Sequence, residues 1–179
     1  MSTDADPLAA PIPPGHTGHT STYPNPIAGG TTMSTLVVYD SNYGNTRIVA
    51  EKIAAELGEG TAVVSVSGLT PERLTGVELL VVGCPIIGWR PSPRMQAFLA
   101  QLGVGMLHGV RAAAFDTRVR LFIHGDAAGK ISHALEHAGA HIVAKPHGFI
   151  VEGSEGPLAP GELDKAAEWA GAIMPTLRR

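Results

Sequence analysis

Residues 36–57 constrain the fold most. Leu36-Val37-Val38 is an apolar run, Tyr39-Asp40-Ser41-Asn42-Tyr43-Gly44-Asn45-Thr46 is short and polar, and residues 47–57 repeat apolar side chains at helical spacing. In that helix Ile48, Ala50, Ile53, Ala54 and Leu57 are expected to face inward. A buried strand therefore turns tightly into a helix N-terminus. The first amides of such a helix have no intrahelical acceptor, and the helix dipole is positive there. Hydroxyls at Ser41 and Thr46, the Asn45 amide and a Gly that permits close approach complete a phosphate cradle. No Lys follows Gly44, so the loop is not built for a triphosphate, and Gly44 stands alone, so it is not G-x-G-x-x-G. A loop that holds phosphate without its own cation suits a single phosphate.

The rest of the chain repeats the alternation. Residues 61–66 read as a second strand, 69–74 as a connector with at most a turn or two of helix, and 77–83 as a third strand. The run Leu79-Leu80-Val81-Val82 suits a strand covered on both faces. Residues 84–93 read as a loop, and 94–102 as a helix with Met95, Phe98, Leu99 and Leu102 at core spacing. Residues 110–115 form a fourth strand, small enough for close packing by helices. Then come a loop over 116–129 containing Leu121-Phe122-Ile123 and a helix over 130–138. A fifth strand opens at 141–144 and is resumed by Phe149-Ile150-Val151 past the break at Pro146 and Gly148. A closing helix over 162–174 turns Leu163, Ala166, Ala167, Trp169, Ala170 and Ile173 inward. Strands alternating with helices predict a doubly wound parallel α/β sheet. Its ligand site belongs at the carboxyl ends of the strands, in the loops after the first, third and fourth.

Composition narrows the function. The length suits one domain with an ordinary core. A net charge of −3 gives no sign of nucleic-acid binding. Cys84 is the only cysteine, so no intrachain disulfide forms, which fits a reducing, cytoplasmic setting. No apolar run approaches membrane-spanning length, and no membrane partner is expected. Residues 1–32 carry Pro7, Pro11, Pro13, Pro14, Pro24 and Pro26 without an apolar face, and read as a disordered leader to a domain over 33–179, with Met33 as a second candidate start. They lack the n- and h-regions of a signal peptide. The His-Thr pairs at His16 and His19 read as part of this leader rather than as a metal site.

Ser41-Asn42-Tyr43-Gly44-Asn45-Thr46 resembles the FMN-phosphate loop of flavodoxins, usually Ser/Thr-x-Thr-Gly-Asn-Thr, with Tyr43 in place of a Thr. Cys84-Pro85-Ile86-Ile87-Gly88-Trp89-Arg90-Pro91 resembles the loop of that family that covers one face of the flavin ring. Aligned on the Gly, Ile87 takes the usual aromatic stacking position and Gly88 the flexible one, and Trp89 is a second candidate to lie over the ring. Phe115-Asp116-Thr117-Arg118 resembles the second ring-binding loop. The resemblance implies that Asp116 accepts from the flavin N3–H and that Arg118 lies near N1. Residues 149–163, with Gly156-Pro157-Leu158 leading into the last helix, resemble a stretch common in bacterial flavodoxin domains. The family implies a flavodoxin-like fold, a five-stranded parallel sheet in order 2-1-3-4-5 within a three-layer α/β/α sandwich. It also implies noncovalent FMN and electron transfer between a reductase and an acceptor protein. Electron-carrying flavodoxins are usually strongly acidic, and this chain is close to neutral. A reductase that uses FMN and NAD(P)H on a quinone-type substrate is therefore the alternative.

Three further patterns carry competing chemistry. Cys84 and Arg90 have the Cys-x5-Arg spacing of cysteine phosphatases, yet Pro85 lacks an N–H and Pro91 replaces a hydroxyl residue. A receiver-type signalling domain would use Lys145, but it needs an acidic cluster where Asp40 stands alone. His133, His137 and His141 have metal-compatible spacing but no neighbouring Cys or acidic ligand, and read as a titrating surface.

Overall fold

The computed structural model describes residues 34–120 and 125–174. The leader, His16, His19, Met33 and the apolar triplet Leu121-Phe122-Ile123 lie outside the described residues. The elements are β1 (Thr35–Tyr39), α1 (Asn45–Leu57), β2 (Ala62–Ser65), a 3-10 turn (Pro71–Leu74), β3 (Leu79–Ile87), β4 (Arg90–Pro91), α2 (Pro93–Leu99), β5 (Arg111–Val119), α3 (Ala127–His137), β6 (His141–Ile142), β7 (His147–Val151) and α4 (Glu162–Ile173).

The strands run in the order β2-β1-β3-β5-β6, and β7 also pairs with β5. All of these pairings are parallel; β4 alone is antiparallel, folding back on β3. β6 pairs with Arg111 and Ala112 and β7 with residues 115–119 of β5, so the two are one fifth strand interrupted around Pro146. With the β3–β4 hairpin set aside, the expected order 2-1-3-4-5 is the order found. The break spares Gly148, which is inside β7.

Alternation along the strands splits the core into two sheets of side chains. Leu36, Val38, Leu80, Val82, Ala112 and Ala114 pack with Met95 and Phe98 of α2 and Ile131 and Leu135 of α3. Val37, Leu79, Val81, Ala113 and Phe115 pack with Ile53 of α1 and Ala166, Ala170 and Ile173 of α4. Because β1, β3 and β5 bury both faces, they read as continuous apolar runs. The sheet is the middle of three layers. At Gly83 an added Cβ would come within 2.2 Å of the ring of Phe115, its partner across the sheet, so this position admits no side chain.

Helix phases differ from expectation at two points. α1 buries Thr46, Val49, Ala50, Ile53, Ala54 and Leu57, a strict 3-then-1 spacing, which leaves Ile48 exposed. α4 buries Glu162 and exposes Leu163. The Glu162 carboxylate accepts from Ile150 N (2.9 Å) and Lys165 Nζ (2.8 Å), so this buried charge is paired. Among the described residues no helix is long and apolar enough to cross a membrane.

Candidate functional site

The carboxyl end of β1 opens into the loop 40–44. Asp40 is buried and anchors it: its carboxylate accepts from Ser41 N (2.9 Å), Ser92 Oγ (2.5 Å) and Arg94 Nε (2.8 Å). Arg94 also donates to Asn42 Oδ1 at 2.7 Å, so α2 braces the loop from the side. Ser41 Oγ accepts from Gly44 N at 3.0 Å and closes the turn. Gly44 then takes φ 91°, a left-handed value that a Cβ opposes, and serves as the N-cap of α1. No acidic side chain occupies the first turn of α1, so nothing there offsets the positive end of its dipole.

Two hydrogen bonds join the first turn of α1 to its neighbours. Thr46 Oγ1 and Thr117 Oγ1 are 2.8 Å apart, linking α1 to β5 in a buried contact. Asn45 Nδ2 donates to Glu155 O at 2.9 Å, linking α1 to the loop after β7.

The segment 84–91 is not a free loop. β3 runs on through Ile87, and Gly88 (φ 56°) with Trp89 (φ 69°) turns it into β4, where Ile86 faces Pro91 and Ile87 faces Arg90. Two successive positive φ values make the tight turn that matches strand twist in a two-residue hairpin. Trp89 is 56% exposed and Ile87 38%. Gly125 lies against the Trp89 backbone, where an added Cβ would come within 2.5 Å of Trp89 Cα.

β5 is also longer than expected and carries residues 116–119 as strand rather than loop, because they pair with β7. This corrects two assignments. Phe115 is fully buried and packs edge-on to Phe149, with ring centroids 5.9 Å apart, inside the core. Asp116 is fully buried too; its carboxylate accepts from Arg118 Nε (2.6 Å) and Arg118 NH2 (2.5 Å) and from the amides of Ala127 (3.2 Å) and Ala128 (2.8 Å). It caps α3 and does not line the cleft. Burial pushes its carboxyl above the ordinary value, against the pull of Arg118 and the Ala128 amide.

Together these loops enclose a cleft of about 520 Å³, within the usual range for a small-ligand site. Its lining brings together Ser41, Asn42, Tyr43, Asn45 and Thr46 from the first loop and Pro85, Ile86, Ile87, Gly88 and Trp89 from the hairpin. Thr117 and Arg118 come from β5. Gly44 shapes the corner without lining it. Val119, Gly125, Val151 and Ser154 also line the cleft and were not singled out from the sequence. Val119 and Val151 are partners across β5 and β7, a pairing that local pattern does not show. Ser154 lies between β7 and Gly156-Pro157-Leu158, where no local pattern marks it as a wall residue.

Cys84 is inside β3 and fully buried, and burial pushes its thiol up to about 12. It holds no thiolate at neutral pH, and Arg90 is exposed on β4, so the phosphatase arrangement is absent. A raised thiol pKa has a definite sign. The unfolded thiol ionises near its ordinary value of 9.0 and the folded one near 12, so stability falls with rising pH through that window. The expected slope from Cys84 is up to about 1.4 kcal/mol per pH unit, and it should vanish in Cys84→Ala when urea unfolding is followed across that range. Asp40, the lone carboxylate of a receiver-type reading, is likewise committed to Ser92 and Arg94. His133, His137 and His141 are exposed, and among the described residues no three His, Cys, Asp or Glu side chains are grouped to hold a metal.

The fold and cleft define a doubly wound α/β domain with a ligand site at the carboxyl edge of its sheet. Residues 36–123 match the family model described as flavodoxin domain, which supports a flavodoxin-family domain there. No curated protein matches the chain. Among solved structures, a flavodoxin from the domain Archaea superposes with TM-score 0.67 at 19% identity, covering 82% of this chain and 100% of that one. Flavodoxin 1 from Bacillus cereus gives 0.68 at 17%, covering 79% and 97%. Rubredoxin oxygen:oxidoreductase from Desulfovibrio gigas gives 0.66 at 16%, covering 80% of this chain and 36% of that one. At these identities the likeness is one of fold.

Proposed function

We propose that this domain binds FMN noncovalently and serves as an electron-transfer flavoprotein between redox partner proteins, in a cytoplasmic setting. The observation that carries this reading is the make-up of the cleft. One end is the first turn of α1, with Gly44 at φ 91° and the Asn45 and Thr46 side chains beside free-facing helix amides. The other end has apolar walls from Ile86, Ile87, Trp89, Val119 and Val151, suited to a flat ring. Phosphate donors at one end and apolar walls at the other match a ring joined to one phosphate. The residues present therefore fit FMN: the α1 loop would hold the phosphate, and the hairpin with Val119 and Val151 would flank the ring. When bound, FMN supplies the redox chemistry. The chain's share is to bind, orient and exclude water. Arg118 places a cation in the lining, but its guanidinium is already held by Asp116, so the charge it offers a ligand is partly offset.

The test is to add FMN to the purified full chain and follow flavin absorbance and fluorescence. Binding tighter than about 1 µM is expected, and no uptake would overturn the reading. NAD(P)H added to the loaded protein separates carrier from reductase. A carrier oxidises it only with a separate reductase present, whereas direct oxidation would favour the quinone-type alternative.

A further inference from the structure

The rim of the cleft is uneven in charge. On the hairpin side, exposed Arg90 and Lys130 accompany exposed Trp89, and both border a hollow with Pro91, Gln96 and Leu99 next to the main cleft. Lys130 Nζ donates to Trp89 O at 3.1 Å, and neither cation has a carboxylate partner among the described residues. Asp126, one turn before Lys130, is engaged elsewhere: it caps α3 through Gly129 N (2.8 Å) and lies 3.8 Å from Arg118. The exposed acids Glu152 and Glu155 belong to the loop that meets Asn45, and neither pairs with Arg90 or Lys130 among the described residues. Trp89 is a large aromatic in a left-handed conformation that its Cβ opposes, and it is nonetheless presented to solvent. Backbone strain maintained at a surface aromatic points to use of that side chain. The whole chain is slightly acidic, so the positive character is local to this side of the rim.

We propose that Trp89, Arg90 and Lys130 form the docking surface for a redox partner protein whose own docking face is acidic. An exposed indole beside an Arg has the composition of an interface anchor. Two uncompensated cations beside it steer an anionic surface onto the flavin end of the cleft and repel a cationic one. The proposal rests on the electron-transfer reading above, because Trp89 also lines the cleft and a partner seated on it lies against the cofactor.

The experiment uses the full chain with FMN and two forms of one probe: cytochrome c with its native basic surface, and the same protein succinylated to an acidic one. Sedimentation followed at the haem band reads docking, and the rate of haem reduction reads transfer. At low ionic strength the acidic form should bind and be reduced about tenfold better than the basic form, and the advantage should collapse near 0.5 M salt. Arg90→Glu with Lys130→Glu should invert the preference, and Trp89→Ala should weaken binding of the acidic form while leaving its salt slope. Equal or better binding of the basic form, or an unchanged preference in the charge-reversed variant, would overturn the proposal. Failure of the flavin reading is distinguishable, because it shows in flavin absorbance, whereas docking is read from haem and is answered even then.

Discussion

Asp116→Ala is expected to destabilise the domain by about 3–5 kcal/mol, measured by urea unfolding. The side chain is fully buried and has four hydrogen-bond donors around it, two from Arg118 and two from the first amides of α3. Truncation leaves the Arg118 guanidinium, itself only 14% exposed, without its main partner, and leaves two amides unsatisfied. Burial outweighs these partners in setting the Asp116 pKa, so ionising the carboxyl is itself costly. The expected loss therefore comes from the orphaned partners, not from a strongly favourable pair. Adding Arg118→Met should recover part of it, which makes the two changes less than additive. A loss below about 1 kcal/mol together with much weaker flavin binding would instead return Asp116 to the ligand contact inferred from the sequence.

That correction shows what local pattern carries and what it does not. The five parallel strands were legible because β1, β3 and β5 bury both faces and so appear as unbroken apolar runs. Their ends were not legible, because pairing partners set them. β5 continues through Val119 only because His147–Val151 lies beside it, and β3 continues through Ile87 only because Arg90 and Pro91 fold back on it. Pro85 and Pro91 read as loop residues, yet Pro91 is tolerated in a two-residue edge strand where little hydrogen bonding is lost. In α1 helix phase failed where two apolar residues adjoin. Ile48 and Val49 cannot both face the sheet, and the 3-then-1 spacing through Leu57 selects Val49. In the site, the turn residues on either side of Gly44 and those of the hairpin reached the cleft wall, while Phe115 and Asp116 did not. Strand alternation turns Phe115 into one core layer, and Asp116 is drawn under α3 by amides from residues 127 and 128.

Asn45→Ala combined with Thr46→Ala is expected to weaken FMN by more than about 3 kcal/mol, over a hundredfold, at roughly 1.5–3 kcal/mol for each charge-assisted bond lost. Riboflavin, which lacks the phosphate, should lose far less. The structure sharpens this comparison, because both side chains already have protein partners. Thr46 Oγ1 meets Thr117 Oγ1, and Asn45 Nδ2 holds Glu155 O. A hydroxyl has one donor and two acceptor sites, and an amide nitrogen has a second hydrogen, so each retains capacity for a ligand. The alternative role is to clamp the β5 strand and the 152–156 loop against α1, which would shape the cleft for any flavin. The two roles separate by titration of the double variant with both ligands, followed by flavin fluorescence. A large loss for FMN alone assigns the side chains to the phosphate. A similar loss for both flavins would assign them to the clamp and leave the backbone amides of α1 as the phosphate donors. Thr117→Val refines the outcome: it removes the clamp's hydroxyl on β5 and leaves the Asn45 and Thr46 side chains in place. If phosphate contact dominates, that variant should retain the wild-type preference for FMN over riboflavin.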